Sequence, residues 1–188
     1  YIEILHHLCA AGAYDEAWQV QWERLYQRER YLIYHIFGAY ETNLAISIHF
    51  FPKGDLARFP AVIETHAQSI ILTNIGFCLM SLGRGRAAAP FYERSNDLDA
   101  KLGDPRNASI GYQNLAELYA SLGDLPASVA AARRALGLTE QVENTRDRRA
   151  VARDSRAYLA WALHLGGDRT GAADEFARAE VLEFADQG

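Results

Sequence analysis

Three arginines in the C-terminal third of the chain have the spacing of an anion-binding site. The stretch "RDRRAVARDSR" places Arg149, Arg153 and Arg156 at positions i, i+4 and i+7, which share one face of an α-helix. A guanidinium group binds a carboxylate through two parallel N–H donors. The stretch therefore predicts an anion patch for an acidic peptide or a carboxylate. The alternative is a solvated helix face whose charge Asp147 and Asp154 balance.

The histidines and cysteines do not have the spacing of a metal site or of a catalytic nucleophile. The six histidines and two cysteines form no C-x-x-C, H-x-x-x-H or H-E-x-x-H pattern. His6 and His7 are adjacent and cannot both face one ligand on a helix. No G-x-S-x-G turn is present, and neither Cys9 nor Cys78 lies beside a histidine in a loop. We therefore expect no metal, no cofactor and no enzymatic activity.

Composition narrows the classes of partner. A net charge of −5 over 188 residues argues against a nucleic-acid surface, which usually carries a basic excess. No signal peptide opens the chain, and the longest apolar run is too short and too polar to span a membrane. Two cysteines are too few for a disulfide framework, which favours reduced thiols. We expect a cytoplasmic protein that binds neither nucleic acid nor membrane.

An apolar helical pattern ending in glycine recurs along the chain. Successive recurrences in the clearer part are separated by 40 and 44 residues, and the first two by 42. Glycine adopts the left-handed conformation that ends a helix, so each recurrence predicts a helix–turn–helix unit. The glycines concerned are Gly12, Gly54, Gly83, Gly123 and Gly167.

The pattern predicts nine or ten helices and no strand. The segment 52–66 contains Pro60 and is interpreted as a degenerate turn followed by a shortened helix. The predicted helices are 2–11, 13–34, 37–51, 56–66, 68–82, 84–102, 106–121, 124–142, 147–165 and 168–184.

The two clearest copies, "NIGFCLMSLGR" and "NLAELYASLGD", resemble the tetratricopeptide repeat. The resemblance implies an all-α fold, an α-α superhelix in the manner of a helical-repeat solenoid, as one domain over 1–188. Repeats in 69–188 match more clearly than those in 1–68. The period exceeds the usual 34 residues, as in the extended repeats of kinesin light chains and bacterial signalling proteins. Small residues are expected where helices approach closely: Gly76, Ala88, Ala116, Ala160 and Ala172.

Two asparagines occupy the same place in successive copies. Asn74 and Asn114 fall where tetratricopeptide repeats line their concave groove, and a side-chain amide can pair with both groups of a peptide bond. The resemblance thus implies a peptide clamp, the alternative being asparagines on a solvent-facing helix. The other groove positions in this register are Phe77, Ser81, Gln113, Glu117, Ser121 and Tyr158, with Arg156 at the edge.

The N-terminal third, including "HHLCAAGAYDEAWQVQWERLY", resembles the repeat region behind the ATPase module of bacterial STAND-type signalling proteins. That resemblance implies a fragment of a larger protein, in contact with an upstream ATPase domain. The nucleotide-binding G-x-x-x-x-G-K-[ST] motif does not occur in the chain. The function implied is a scaffold or sensor that binds a protein or peptide, the alternative being a sensor for a small metabolite.

Overall fold

The computed structural model describes the backbone of residues 1–184. The residues 185–188 and the side chains of Glu29, Tyr34, His35 and Phe184 lie outside the described part. Within that part the chain has an all-α fold of helical hairpins and contains no strand, as predicted. The chain divides into two compact units, Tyr1–Phe91 and Tyr92–Gly188, and α6 runs across the boundary.

Ten α-helices make up most of the described chain. The first unit contains α1 (Ile2–Ala10), α2 (Tyr14–Val20), α3 (Leu32–His35), α4 (Tyr40–Ile48), α5 (Thr65–Ser81) and the start of α6 (Gly85–Leu102). The second contains the rest of α6, then α7 (Pro105–Ser121), α8 (Leu125–Leu138), α9 (Thr145–Leu165) and α10 (Arg169–Phe184). A π-helical turn covers Gln21–Leu25, and short 3-10 turns cover Arg28–Arg30, Pro52–Gly54 and Thr139–Gln141.

The predicted glycine turns are confirmed. Gly123, between α7 and α8, has a φ of +80°, a left-handed conformation that a side chain would strain. The next residue, Asp124, starts α8, because its carboxylate accepts a hydrogen bond from the Ala127 N–H at 3.1 Å. Positive φ values also occur at Gly12, Gly54, Gly83 and Gly167.

The expected helix over 13–34 is wrong beyond residue 25, where the π-helical turn Gln21–Leu25 ends. After α2 the backbone passes through the π-helical turn, in which the Tyr26 N–H donates to the Gln21 carbonyl at 2.8 Å. Gln27, Arg28 and Tyr31 then adopt positive φ values that no regular helix contains. The wider turn brings the Tyr26 side chain into the core, where it is fully buried.

The expected helix over 56–66 is also wrong, since α5 begins at Thr65. Pro60 cannot donate a backbone hydrogen bond, and the backbone carbonyls of this segment accept hydrogen bonds from a side chain instead of from helical N–H groups. The Gln68 side-chain amide donates to the carbonyls of Pro60 and Val62 at 3.2 and 2.8 Å. A side chain thus replaces the helical hydrogen bonds that the pattern predicted.

Small residues lie at the helix contacts, as expected. Ala116 on α7 and Ala160 on α9 are completely buried, and Ala172 on α10 is 2% exposed. These positions have almost no side-chain volume, so the helices of the second unit can approach closely. Among the helices described, none has the length and apolar character that crossing a membrane requires.

Candidate functional site

The second unit contains an arginine-lined cavity of about 700 Å³, hereafter the arginine cleft. It lies among α8, the 3-10 turn Thr139–Gln141, α9 and α10. Of the described residues that line it, only Glu140 is acidic, while Leu136, Val181 and Leu182 supply apolar wall. Its guanidinium groups belong to Arg133, Arg148, Arg149, Arg156 and Arg178.

Helix α9 supplies three of the five guanidinium groups of the cleft, those of Arg148, Arg149 and Arg156. The Asn144 side chain accepts hydrogen bonds from the N–H groups of Arg146 and Asp147 at 2.9 and 3.1 Å, which caps the helix. From that start, Arg148 and Arg156 are eight residues apart and face the cleft together.

Glu175 on α10 holds two of the five arginines. Its carboxylate pairs with Arg156 at 2.6 Å and with Arg178 at 2.9 Å. The Glu175 side chain is only 13% exposed, so solvent screens the Arg156 pair less than an ordinary surface ion pair. This shared carboxylate orders two guanidinium groups without neutralising both.

Two further arginines of the cleft are without a carboxylate partner in the part of the chain that the structure describes. Arg133 on α8 is exposed and Arg148 on α9 is half-buried, and neither forms an ion pair with any side chain that the structure describes. The cleft contains more guanidinium groups than carboxylates even when Glu140 and Glu175 are both counted. The arrangement can therefore bind an anion through charge-assisted hydrogen bonds.

The predicted anion patch requires one correction. Arg149 and Arg156 line the cleft, but Arg153 is held elsewhere. It pairs with Asp154 at 2.8 Å and with Glu183 at 2.6 Å. These partners raise the pKa of Arg153, the bond to Asp154 contributing most, so its charge is already compensated.

The interpretation of Asn74 as a groove residue is wrong. Asn74 is 4% exposed, and its amide donates to the Tyr26 hydroxyl at 3.2 Å. The same hydroxyl donates to Asn43 at 3.0 Å and accepts from Gln21 at 2.7 Å. Asn74 therefore belongs to a buried polar network of the first unit, where no peptide can reach it.

Gln113, a second predicted groove residue, is also a core residue. It is 6% exposed, and its amide donates to the Ser155 hydroxyl at 2.8 Å and the Val151 carbonyl at 3.3 Å. The Ser155 hydroxyl lies 3.2 Å from that of Ser109. Gln113 thus joins α7 to α9 and is not available to a ligand.

The other predicted groove residues of the second unit remain accessible to different degrees. Asn114 is half-buried, and no hydrogen-bond partner for its amide lies among the described side chains. Tyr158 donates to the Glu117 carboxylate at 3.5 Å, and burial, then that carboxylate, raise the pKa of Tyr158. Ser121 is exposed and donates to the Leu118 carbonyl at 2.7 Å.

The remaining groove predictions concern the first unit. Phe77 is half-buried on α5, and its ring packs edge-on against Tyr40 with centroids 5.8 Å apart. Ser81 is exposed at the end of the same helix. Of the predicted set, the structure brings together Glu117 with Tyr158 and Arg149 with Arg156.

Sequence reasoning missed three arginines of the cleft. Arg133 and Arg178 lie on helices other than α9. Arg148 lies in the same charged stretch as the predicted patch but is not one of its residues. For Arg148, its separation of eight residues from Arg156 is the signal that could have placed it on the same side of α9. The arginines from α8 and α10 could not be predicted from local spacing, because their place in the cleft depends on how three helices pack together.

Comparison with known proteins supports the fold alone. No family model and no curated protein matches the chain. Eight solved chains match, among them BtubC (BKLC) from P. vanneervenii, with 18% sequence identity and a TM-score of 0.69. The match covers 82% of this chain and 61% of that one, so this chain spans less than two thirds of BtubC. The two proteins share an all-helical architecture.

Proposed function

We propose that this chain is a binding module that takes an acidic peptide segment of a partner protein in the arginine cleft. The observation that carries the proposal is the pair of arginines, Arg133 and Arg148, that line the cleft without a carboxylate partner among the described residues. A carboxylate held bidentately by either group would supply the missing charge.

The walls of the cleft support a peptide as the occupant. Leu136 and Leu182 lie in the same lining as the arginines, so an apolar side chain can pack beside a bound carboxylate. The cleft also includes exposed groups, such as Arg178 and Val181, which favours a ligand that continues along the surface. An acidic segment containing apolar residues fits both features.

The hydroxyl and carboxyl groups of the lining support a non-catalytic role. Thr139 is 4% exposed, and its hydroxyl donates to the Leu136 carbonyl at 2.7 Å, which keeps it from acting as a nucleophile. Glu140 is exposed, and its neighbours along the chain include no histidine. Binding without chemistry is the proposal that this lining favours.

The experiment is a titration with a fluorescent eight-residue peptide of alternating Glu and Leu, beside its Gln–Leu counterpart. We expect the acidic peptide to bind more tightly, and Arg148→Gln to weaken its binding about tenfold, as loss of a hydrogen bond to a charged group predicts. The matched control is Arg106→Gln, which removes an exposed arginine of α7 that lies outside the cleft. Equal affinity for both peptides, or equal loss in both variants, contradicts the proposal.

A small anionic metabolite is the second candidate. The cavity volume of about 700 Å³ lies within the range of about 300–1,000 Å³ that small-ligand pockets occupy. A thermal-shift series with citrate, inorganic phosphate and nucleotides distinguishes the two, because a ligand that binds only the folded state raises the melting temperature. A shift with a small anion that Arg148→Gln abolishes, together with no binding of the acidic peptide, favours the metabolite.

The resemblances to tetratricopeptide repeats and to the arm of a cytoplasmic bacterial signalling ATPase extend the proposal to a larger protein. They support a role in which ligand binding in the arm regulates an attached ATPase module. The genomic sequence upstream of Tyr1 tests this extension. A nucleotide-binding G-x-x-x-x-G-K-[ST] motif encoded in frame supports it, and a start codon at that point contradicts it.

A further inference from the structure

We propose that His6 and His49 form a two-histidine site for a divalent transition-metal ion of the zinc class in the first unit. His6 lies on α1, and His49 is the residue that follows α4. Their ring nitrogens, His6 Nδ1 and His49 Nε2, are 3.4 Å apart. Both side chains are exposed, so an ion can reach them from solvent.

The separation of the two nitrogens suits a shared metal ion. Two imidazole ligands of a tetrahedral zinc ion, each about 2.0–2.1 Å from the metal, place their nitrogens about 3.3–3.4 Å apart. An N–H donor and its acceptor are commonly closer, at about 2.7–3.2 Å. The rings are inclined by 69° with centroids 4.7 Å apart, so the two imidazoles lie side by side and neither ring is stacked on the other.

A cavity beside the pair leaves room for the remaining ligands. Its volume is about 340 Å³, and both histidines line it together with Cys9, Tyr14 and Lys53. Water molecules can complete a four-coordinate shell in that volume, because two protein ligands leave two positions open. No set of three or more His, Cys, Asp or Glu side chains suited to a metal occurs among the described residues, so the assignment stops at two imidazoles.

The charges around the site set a moderate affinity. Lys53 is an exposed cation in the lining and repels the metal ion, while the described lining contains no carboxylate. Burial, and then the facing His6 ring, lower the pKa of His49. Burial raises the pKa of the Cys9 thiol to about 11, so this group stays protonated near neutral pH unless a metal displaces its proton.

The test is a thermal melt of the full chain with Zn²⁺, and with Mg²⁺ as the hard cation that prefers oxygen ligands. We expect Zn²⁺ to raise the melting temperature in a concentration-dependent way and Mg²⁺ to leave it unchanged. His49→Ala removes the Zn²⁺ response. His66→Ala, at an exposed histidine of α5 outside the cavity, retains it. No Zn²⁺ response in the wild type, or an equal response in His49→Ala, overturns the site.

Co²⁺ absorbance provides a second readout that does not depend on stability. Tetrahedral Co²⁺ bound to the wild type is expected to give intense visible bands, and His6→Gln, a variant of similar size, is expected to lose them. Cys9→Ser is expected to retain binding, because the ligands assigned are the two imidazoles. Bands that persist in His6→Gln, or binding lost in Cys9→Ser, overturn the two-histidine assignment.

Discussion

Glu175 accepts a hydrogen bond from Arg156 at 2.6 Å, and this pair joins α10 to α9 at the wall of the arginine cleft. The other oxygen of the same carboxylate accepts from Arg178 at 2.9 Å. The Glu175 carboxylate thus already pairs with arginines to which an acidic peptide is proposed to bind. In the proposed function, the carboxylates of the peptide and of Glu175 would therefore compete for Arg156.

Glu175→Gln is expected to lower stability and to strengthen binding of the acidic peptide. The free energy of unfolding should fall by about 1 kcal/mol, because a partly buried ion pair is lost. Affinity should rise several-fold at low salt, since Arg156 and Arg178 become available. Urea unfolding and peptide titration measure the two effects. Glu180→Gln, at an exposed residue of α10 outside the cleft, is the control, and weaker binding by Glu175→Gln contradicts the competition.

A pair of asparagine variants tests the peptide-clamp hypothesis. Asn74→Ala removes an amide from a buried network, so the free energy of unfolding should fall by about 1–3 kcal/mol. Asn114→Ala changes a half-buried residue without a described hydrogen-bond partner and should stay within about 0.5 kcal/mol of the wild type. The clamp hypothesis now concerns Asn114 alone, and it predicts weaker partner binding by Asn114→Ala. Titration calorimetry that finds equal binding contradicts it.

Gly111→Ala is expected to destabilise the second unit. A Cβ at Gly111 would lie 1.7 Å from Asn96 Oδ1, within a core where Asn96 is 3% exposed. Overpacking of this kind lowers the free energy of unfolding by about 1–3 kcal/mol. Gly137→Ala is the control, because its Cβ meets nothing within 4 Å, and it should stabilise α8 by about 0.5–1 kcal/mol.

The double variant Gly111→Ala with Asn96→Ala tests the cause. No hydrogen-bond partner for the Asn96 amide lies in the described part of the chain, so its removal opens space without breaking a bond there. The two substitutions should therefore be less destabilising together than the sum of the single variants. Additive effects in urea unfolding indicate that the loss in Gly111→Ala has another origin.

The melting temperature is expected to fall between pH 10 and pH 12, and ionisation of Tyr119 is expected to cause part of this fall. Burial, and then the hydrogen bond to Glu93, raise the pKa of Tyr119 from 10 to about 12. A raised pKa favours the protonated phenol in the folded state, so its stabilisation is complete below pH 10 and is lost as the pH approaches 12. Tyr119→Phe should show a shallower decline in melting temperature over this window. An unchanged slope contradicts the assignment to Tyr119.

Much of the fold could be predicted from local patterns. The glycines that end helices, such as Gly83 and Gly123, have the left-handed conformation that their place after an apolar helical run indicates. The alanines that recur near the turns, such as Ala116 and Ala160, are buried because helices can approach closely only where side chains are small. These features depend on residues close together in the chain, which a periodic pattern can reveal.

The all-α class, the glycines that end helices and the shared face of Arg149 and Arg156 on α9 follow from local sequence patterns. Which polar residues are buried or paired, and which remain accessible, depends on the tertiary structure. Asn74 and Asn114 share a place in the repeat, yet only Asn74 has a neighbour like Tyr26, which a π-helical turn brings to it from 48 residues away. Likewise Arg153 forms an ion pair with Glu183 on another helix, and the His6 ring lies beside the His49 ring. Burial and ion pairing depend on partners distant in the chain, and local spacing contains no record of them.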